Sequence, residues 1–362
     1  MKLELEPQAS PIDWDGFVNG HPHGTLFHDS SWHRIMERTY GFRPLYFLAR
    51  DESGNIRSGI AAALVRNLFQ GRKLCSYPFS DHCDPLLGDP KDFAPLLESM
   101  NAFARQNADA SLEIRCFRTD PDKMQPHESK VTERGTQNLE PRTRNAECGT
   151  NFILPLTAAP EQLFKNFHRS CIQRPIRKAE REGVTVRKGE DETDLKQYFR
   201  LHLLTRRRLG IPSQPFSFFR NLWLEFAPTR RLTLLLAEHE GQPAAGMLLL
   251  HHGAATVYKF GASSEEKMSL GVNPLLFWRA IQLAIRRGDR ELDLGRTEKE
   301  EVGLYDFKIR LGAEAVPLRY ISSAEPRPTA GSGMPLRLLR SGLRRLPSAG
   351  LRTGGFLYRY LA

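Results

Sequence analysis

No stretch of this chain reaches the roughly 18 consecutive apolar residues that a membrane-spanning helix needs. The opening residues, MKLELEPQAS, lack an apolar run behind a basic start, which excludes a secretory signal. The expectation is a cytoplasmic protein, or one held peripherally at the inner face of the membrane. Cysteine is scarce. Cys75, Cys83, Cys116, Cys148 and Cys171 make an odd number with no C-x-x-C spacing, which argues against a disulfide framework and a zinc site and for free buried thiols. No G-x-S-x-G, Walker or kinase signature occurs. His21 and His23 flank a proline, and His251 with His252 is predicted in a turn. None has a carboxylate at metal-ligand spacing, so surface loops are expected and no metal. Acid is missing from the end of the chain: residues 326–362 hold seven arginines and no Asp or Glu. The net charge of +10 is therefore mostly a property of that tail. A basic, leucine-interleaved tail predicts either a peripheral contact with an anionic membrane or a final helix with its arginines outward.

What is present is a duplication. RPLYFLARDESGNIRSGIAAALVRNLFQGRKLCSYPFS, from Arg43, reads as three strands with turns at Asp51–Asn55 and Asn67–Gly71. RLTLLLAEHEGQPAAGMLLLHHGAATVYKFGAS, from Arg231, reads the same way, with turns at Glu238–Gln242 and His251–Gly253. A short helix precedes each meander, at Ser30–Tyr40 and Phe216–Phe226. Helix-like sequence and a further strand follow each, LEIRCF at Leu112–Phe117 and ELDLGR at Glu291–Arg296. The polar stretch Arg118–Thr150 reads as a linker, and Phe152–Leu156 opens the second half as a strand. The reading is an α+β chain. Its domains are expected at residues 1–145, with linker from about 118, and at 150–325, before the basic tail at 326–362.

In the second half, Pro160–Gly183 has the spacing of an amphipathic helix that Pro175 should kink or break. Leu195–Gly210 reads as a helix ending in Arg206, Arg207 and Arg208 before a glycine. NPLLFWRAIQLAIRRG is predicted as a helix with Asn273 as N-cap and Pro274 at its first position. Leu276, Phe277, Ala280, Ile281, Ala284 and Ile285 form its core stripe. The backbone N–H groups from Val272 and Asn273 onward could receive a phosphate, or simply begin a well-capped helix. Arg177 and Lys178, in a run of basic residues at helical spacing, could bind a phosphate backbone or form a solvated face. Arg206 could reach a ligand anion or satisfy helix-end carbonyls.

LDLGRTEKEEVGLYDFKIRLGAEAVPLRY, from Leu292 to Tyr320, reads as strand, loop, short helix and strand. Lys308 sits within that helix between Phe307 and Ile309, and Gly312 ends it. A cation so placed beside a strand end can face the negative charge that develops during acyl transfer.

Seven stretches, SYPFSD, IRKAEREG, TRRRLGIP, VYKFGAS, NPLLFW, LDLGR and GLYDFKIRLGA, resemble the Fem family of tRNA-dependent aminoacyl ligases and its GNAT-fold acetyltransferase relatives in cell-envelope and exopolysaccharide clusters. The resemblance covers roughly Phe27 to Ser322. It implies tandem GNAT-like domains, each a mixed, largely antiparallel sheet flanked by helices. It also implies transfer of an acetyl, acyl or aminoacyl group to an amine or hydroxyl of an envelope precursor. The family's F-K-x-x-W-G lysine corresponds to Lys308, with Leu311 where tryptophan is usual, and the resemblance gives Lys308 the oxyanion. Tyr305 is then a candidate acid for the leaving group and Asp293 a candidate for orienting or deprotonating the acceptor. Arg206 and Arg296 are candidates for holding anions, and Tyr258 in VYKFGAS for lining the donor site. The co-substrate implied is acyl-CoA or aminoacyl-tRNA, with no tightly bound cofactor, and the acceptor a small or lipid-linked molecule. The long paired helical insertion that grips tRNA in some members is not evident, which favours the acetyltransferase-like branch.

Overall fold

The computed structural model describes residues 2–6, 10–67, 71–107, 109–124, 144–298, 300–323 and 358–360. Most of the expected linker and the tail from 326, except 358–360, lie outside the described residues. The chain forms two compact units. One holds the described residues up to Gly149 together with 317–323, and the other holds Thr150–Val316.

The first unit runs β1 (Lys2–Glu6), α1 (Pro11–Gly20), α2 (Ser30–Tyr40), β2 (Pro44–Arg50), β3 (Ile56–Asn67), β4 (Gly71–Cys75), β5 (Leu86–Leu87), α3 (Phe93–Gln106), β6 (Ser111–Cys116) and α4 (Pro121–Met124). Its meander, β2–β3–β4, is the one read from the alternating sequence. Strands β1, β5 and helix α1 had no such pattern to announce them. The α2 helix starts where the Asp29 carboxylate accepts from the Ser31 N–H. A core of Phe47, Ile60, Leu74, Leu96, Met100 and Ile114 joins the sheet to α3.

The second unit begins at Thr150, within β7 (Arg144–Pro155), a strand that itself starts eight residues before the FILPL segment. It continues with α5 (Pro160–Asn166), a π-helical turn at Arg169–Gln173, α6 (Arg174–Arg181), β8 (Thr185–Lys188), α7 (Glu192–Leu209), α8 (Phe216–Phe226), β9 (Leu232–His239), β10 (Gln242–His252) and β11 (Ala255–Ser263). Then come α9 (Val272–Arg287), β12 (Glu291–Thr297), α10 (Val302–Arg310) and β13 (Glu314–Ser322). The Pro160–Gly183 segment is broken rather than kinked, into α5, the π-helical turn and α6, and Pro175 occupies the first turn of α6, where its missing N–H costs nothing. α9 starts earlier than predicted. Its N-cap is Gly271 at φ 83°, so Asn273 and Pro274 are already inside the first turn. A Cβ on Gly271 would also lie 2.3 Å from the Pro175 carbonyl oxygen, which makes this position glycine-only twice over. Of the predicted stripe, Leu276, Phe277, Ala280, Ile281 and Ala284 are buried and Ile285 is half-buried, all packing into a core with Phe152, Leu154, Leu249 and Leu292.

Strand order in the second unit is β7-β12-β11-β10-β9-β8, antiparallel except for the β11–β12 pair. The first unit has order β1-β2-β3-β4-β6-β13, again with one parallel pair, β4–β6. Its last strand is thus supplied from beyond the second unit, with Arg319–Ser322 pairing to Glu113–Cys116.

The expectation that His251 lies in a surface turn is corrected. It is 1% exposed at the end of β10, with Nδ1 2.7 Å from Thr256 Oγ1 and Nε2 2.9 Å from Thr233 Oγ1. Burial, then the nearby Arg287 and Lys188 charges, push its pKa down to about 3, so the ring stays neutral. All five cysteines are free; Cys148 and Cys171 are only partly buried.

Candidate functional site

The site is built at the end of β12. That strand pairs with β7 as far as Asp293↔Ile153, and the register then shifts before Arg296↔Asn151. Gly295, inside the irregularity, has φ 74°, a conformation that favours glycine. The buried Asp293 carboxylate pins the distortion. Its Oδ1 accepts from Gly295 N–H at 2.7 Å and from Asn151 Nδ2 at 3.0 Å. The distortion turns the carbonyls of Gly295 and Arg296 toward α10.

Lys308 meets them there. It is 1% exposed, and its ammonium donates to Gly295 O at 2.7 Å, Thr297 Oγ1 at 2.8 Å and Arg296 O at 3.3 Å. The same nitrogen lies 5.0 Å from the centre of the Phe152 ring. Tyr305, one turn earlier and exposed, sets its ring edge-on to Phe152 at 5.0 Å. Lys308, Tyr305 and Asp293 are therefore gathered around β12 and residues Asn151–Ile153 in the latter half of β7. Asp293 is engaged there in holding backbone. Arg296 donates to Glu298 at 2.5 Å, and burial raises the Glu298 pKa despite that arginine.

The second group sits where β11 ends and α9 begins. The parallel β11–β12 ladder covers only Ala255↔Glu291, Thr256↔Leu292 and Val257↔Asp293. Tyr258 is the next residue and packs on Phe277 of α9, ring centres 4.8 Å apart. Burial pushes its pKa up to about 12. Val272 is buried, and Asn273 Nδ2 reaches Ser263 Oγ at 3.4 Å. Lys178 gives its ammonium to Ser269 O at 2.8 Å, holding α6 to the loop before α9. On α7, Arg206 Nε lies 3.3 Å from Nε2 of the buried His202, which is itself 3.0 Å from Gln214 Oε1. Burial, reinforced by Arg206, holds the His202 pKa far below its usual value. An open pocket of about 680 Å³ lies beside this group, with Arg207 and Arg208 of α7 on one wall and Ser263–Glu266 on the other. Arg177 is exposed and stacks over Phe164 at 5.6 Å, apart from both groups of contacts.

Sequence reasoning missed Asn151, Thr297 and Gln214. Each is a short polar residue whose importance arises from what folds against it, and none stands in a recognisable spacing. Gly295 could have been found, since a glycine inside an otherwise apolar strand signals a bulge. Among the described residues no three His, Cys, Asp or Glu side chains converge as metal ligands.

Comparison with known proteins agrees with this architecture. Residues 166–308 match the family of acetyltransferase (GNAT) domains. Over 340 residues the chain is 24% identical to a UDP-N-acetylmuramoylpentapeptide-lysine N(6)-alanyltransferase of Weissella viridescens, covering 89% of this chain and 95% of that one. The crystal structure of FemX superposes with a TM-score of 0.68 at 16% identity, covering 90% of this chain and 98% of FemX. A tandem GNAT protein from the clavulanic acid biosynthesis pathway superposes at 0.51 and 12% identity, covering 90% and 100%. The duplicated sheet, the matched domain and these likenesses together give the chain the tandem GNAT fold seen in FemX, with an acyltransferase domain matched at residues 166–308.

Proposed function

We propose that this protein transfers an aminoacyl group from the ester of an aminoacyl-tRNA to a primary amine on the peptide of a peptidoglycan precursor. The observation that carries the reading is the buried ammonium of Lys308 at the distorted end of β12. A neutral amine attacking an ester carbonyl forms a C–N bond and places negative charge on the carbonyl oxygen. Lys308 has three N–H groups, and its bond to Arg296 O, at 3.3 Å, is longer than those to Gly295 O and Thr297 Oγ1. That bond is the one an oxyanion most readily replaces, because a charge-assisted hydrogen bond is roughly twice as strong as one to a neutral carbonyl. Collapse of the intermediate breaks the C–O bond and releases the ribose hydroxyl of the tRNA. The exposed Lys165, Arg169, Arg174 and Arg177 offer a basic face suited to the phosphates of the donor.

The Weissella relative supports the acceptor class and an aminoacyl group as what is transferred, since its name specifies alanyl transfer to a lysine of the nucleotide-linked pentapeptide. An acyl-CoA donor has less behind it, because Lys178 beside the start of α9 is already engaged with Ser269 O. No relative supports the exopolysaccharide setting. A lipid-linked acceptor would be served by the basic sequence of residues 326–362 resting on an anionic membrane, testable by co-sedimentation of the full chain with anionic and neutral vesicles. Among the described residues no helix is long and apolar enough to cross a membrane.

The deciding experiment offers the purified protein a panel of aminoacyl-tRNAs and, separately, acetyl-CoA, with a nucleotide-linked muramoyl pentapeptide as acceptor. Mass spectrometry should find the acceptor heavier by one aminoacyl residue. Acetylated acceptor as the sole product would overturn the reading.

A further inference from the structure

The end of the polypeptide reaches back into the second unit. Tyr358 belongs to that unit, and its hydroxyl accepts from Gln214 Nε2 at 2.9 Å, across 144 residues of chain. Gln214 is buried in the loop between α7 and α8, and its Oε1 lies 3.0 Å from His202 Nε2. His202, 1% exposed, is caged by aromatic rings. Phe219 stands edge-on at 4.8 Å, and Tyr198, Phe199 and Phe260 lie at 6.1, 6.2 and 6.3 Å. Among the described residues Nδ1 meets no hydrogen-bond partner, so every polar contact of the ring runs through Nε2.

Two groups compete for that nitrogen. Gln214 Oε1 needs a proton on Nε2, whereas Arg206 Nε–H, 3.3 Å away, needs a lone pair there. Burial, reinforced by Arg206, keeps the ring neutral, so Nε2 offers one or the other and never both. The contact to Gln214 is the shorter, and Tyr358 holds that carboxamide from its far side. With its amide nitrogen turned to the phenol, Gln214 presents oxygen to His202, and the proton sits on Nε2. Arg206 Nε–H is then left without an acceptor in the ring. Among the described residues the terminal nitrogens of Arg206 have no hydrogen bond or ion pair. This half-buried guanidinium adjoins Arg207 and Arg208, which wall the pocket of about 680 Å³. Its charge also acts on Tyr258, opposing the rise that burial gives that phenol.

We propose that Tyr358 is a positioning residue: through Gln214 it commits His202 to donate, and so leaves Arg206 free to hold an anionic group of a substrate. The inference rests on the acyl-transfer reading above and on Arg206 as a holder of anions. It adds to them the end of the chain, whose hydroxyl acts only through the two side chains between it and the guanidinium.

The test uses the full chain and compares Tyr358→Phe, Arg206→Gln and the double variant with wild type by calorimetric titration of the nucleotide-linked muramoyl pentapeptide. Tyr358→Phe should weaken binding about fivefold, the worth of one neutral hydrogen bond. Arg206→Gln should weaken it about 10- to 100-fold, as for a bond to a charged group. The double variant should bind no worse than Arg206→Gln, because the tyrosine acts through the arginine. In turnover Tyr358→Phe should raise KM and leave kcat, whereas a general loosening of the unit would lower kcat as well. Tyr358→Phe at wild-type affinity, or losses that add in the double variant, overturns the proposal. A second readout needs no ligand. Nitrogen-15 NMR of the His202 ring, assigned by its absence from His202→Gln, should place the proton on Nε2 in wild type and move it toward Nδ1 in Tyr358→Phe. A wild-type proton on Nδ1 would mean that the ring already occupies Arg206, and the proposal falls. Failure of the wild type to bind the pentapeptide is a different result and strikes the acceptor class. Inorganic pyrophosphate then replaces it as the probe, with the same ranking expected. Binding of neither removes the anion role of Arg206 and this proposal with it.

Discussion

The two units carry the same parallel strand pair and treat its end in opposite ways. In the first, Lys73↔Ser111, Leu74↔Leu112 and Cys75↔Glu113 pair; in the second, Ala255↔Glu291, Thr256↔Leu292 and Val257↔Asp293 do. Glu113 and Asp293 thus hold equivalent positions. Beyond them the first unit is stitched shut. Ser76 N–H donates to Glu113 O, Arg115 N–H to Ser76 Oγ, and Cys83 N–H to Arg115 O. The Arg115 guanidinium then donates to Ser80 O at 2.7 Å and to Glu113 at 2.8 Å. The SYPFSDHCDP loop, which by sequence suits a pocket lining and a tight turn equally, is this closure. In the second unit the ladder stops at Val257, and Tyr258, the next residue, packs on Phe277 of α9. Glu113 is held by charges, from Arg115 and Lys73, whereas Asp293 is held by the neutral donors Asn151 and Gly295. The two copies of the duplicated module thus finish the same strand pair differently.

Lys308→Met should break the open side most severely. Turnover is expected to fall about 100- to 1,000-fold, as for loss of an oxyanion donor, and Lys308→Arg should recover little because a planar fork cannot take three converging acceptors. Steady-state kinetics beside a thermal melt checks this, and full turnover in a folded Lys308→Met protein removes Lys308 from the chemistry. Glu113→Gln should instead strike stability, by about 3 kcal/mol, since it strands Arg115 and Lys73 in a largely buried site. Chemical denaturation reads that loss, and turnover per folded molecule should hold.

The same variant sharpens the pH dependence. Burial alone would raise the Glu113 pKa, but the Arg115 and Lys73 charges outweigh it and hold it at about 2. An unfolded glutamate titrates near 4.3. The stabilisation is therefore complete above about pH 5 and is lost as pH falls toward 2. Stability curves of wild type and Glu113→Gln should converge over that interval; parallel curves would refute the assignment.

Ser76→Ala should cost less, about 1–2 kcal/mol, by removing the hydroxyl that serves both Arg115 N–H and Cys83 O. Faster amide exchange confined to residues 76–84 and 115 is the expected signature. The smallest effect belongs to the basic face of the second unit. Replacing Arg169 and Arg174 by Gln should lessen the salt slope of tRNA binding by about 0.7–0.9 for each phosphate no longer neutralised. An unchanged slope would place the tRNA elsewhere.

Much of the fold was legible because periodicity survives in one dimension. The twin meanders and the α9 stripe each repeat with the spacing of the element they form, and Gly312 marks the end of the helix bearing Lys308. The site was legible only in part. Lys308, Asp293 and Tyr258 stood out through the stretches that resemble Fem proteins, but Thr297, Asn151 and Gly261 did not. Asn151 acts through Asp293, 142 residues away, while Thr297 and Gly261 meet nearer partners, Lys308 and Tyr258, at spacings that mark no regular element. His251 was misplaced for the same reason: a turn-like dipeptide was overridden by burial against Thr256 and Thr233.

Local order was decided by the amino-acid string alone: which segments become strands or helices, where glycines end them, and that the plan occurs twice. Folding in three dimensions decided which of the two strand divergences stays open, because closure depends on whether a loop from the same unit can satisfy the exposed backbone groups. In the first unit Ser76, Cys83 and Arg115 do so. In the second, a glycine leaves room for a phenol, and a buried lysine gathers the carbonyls at the strand end.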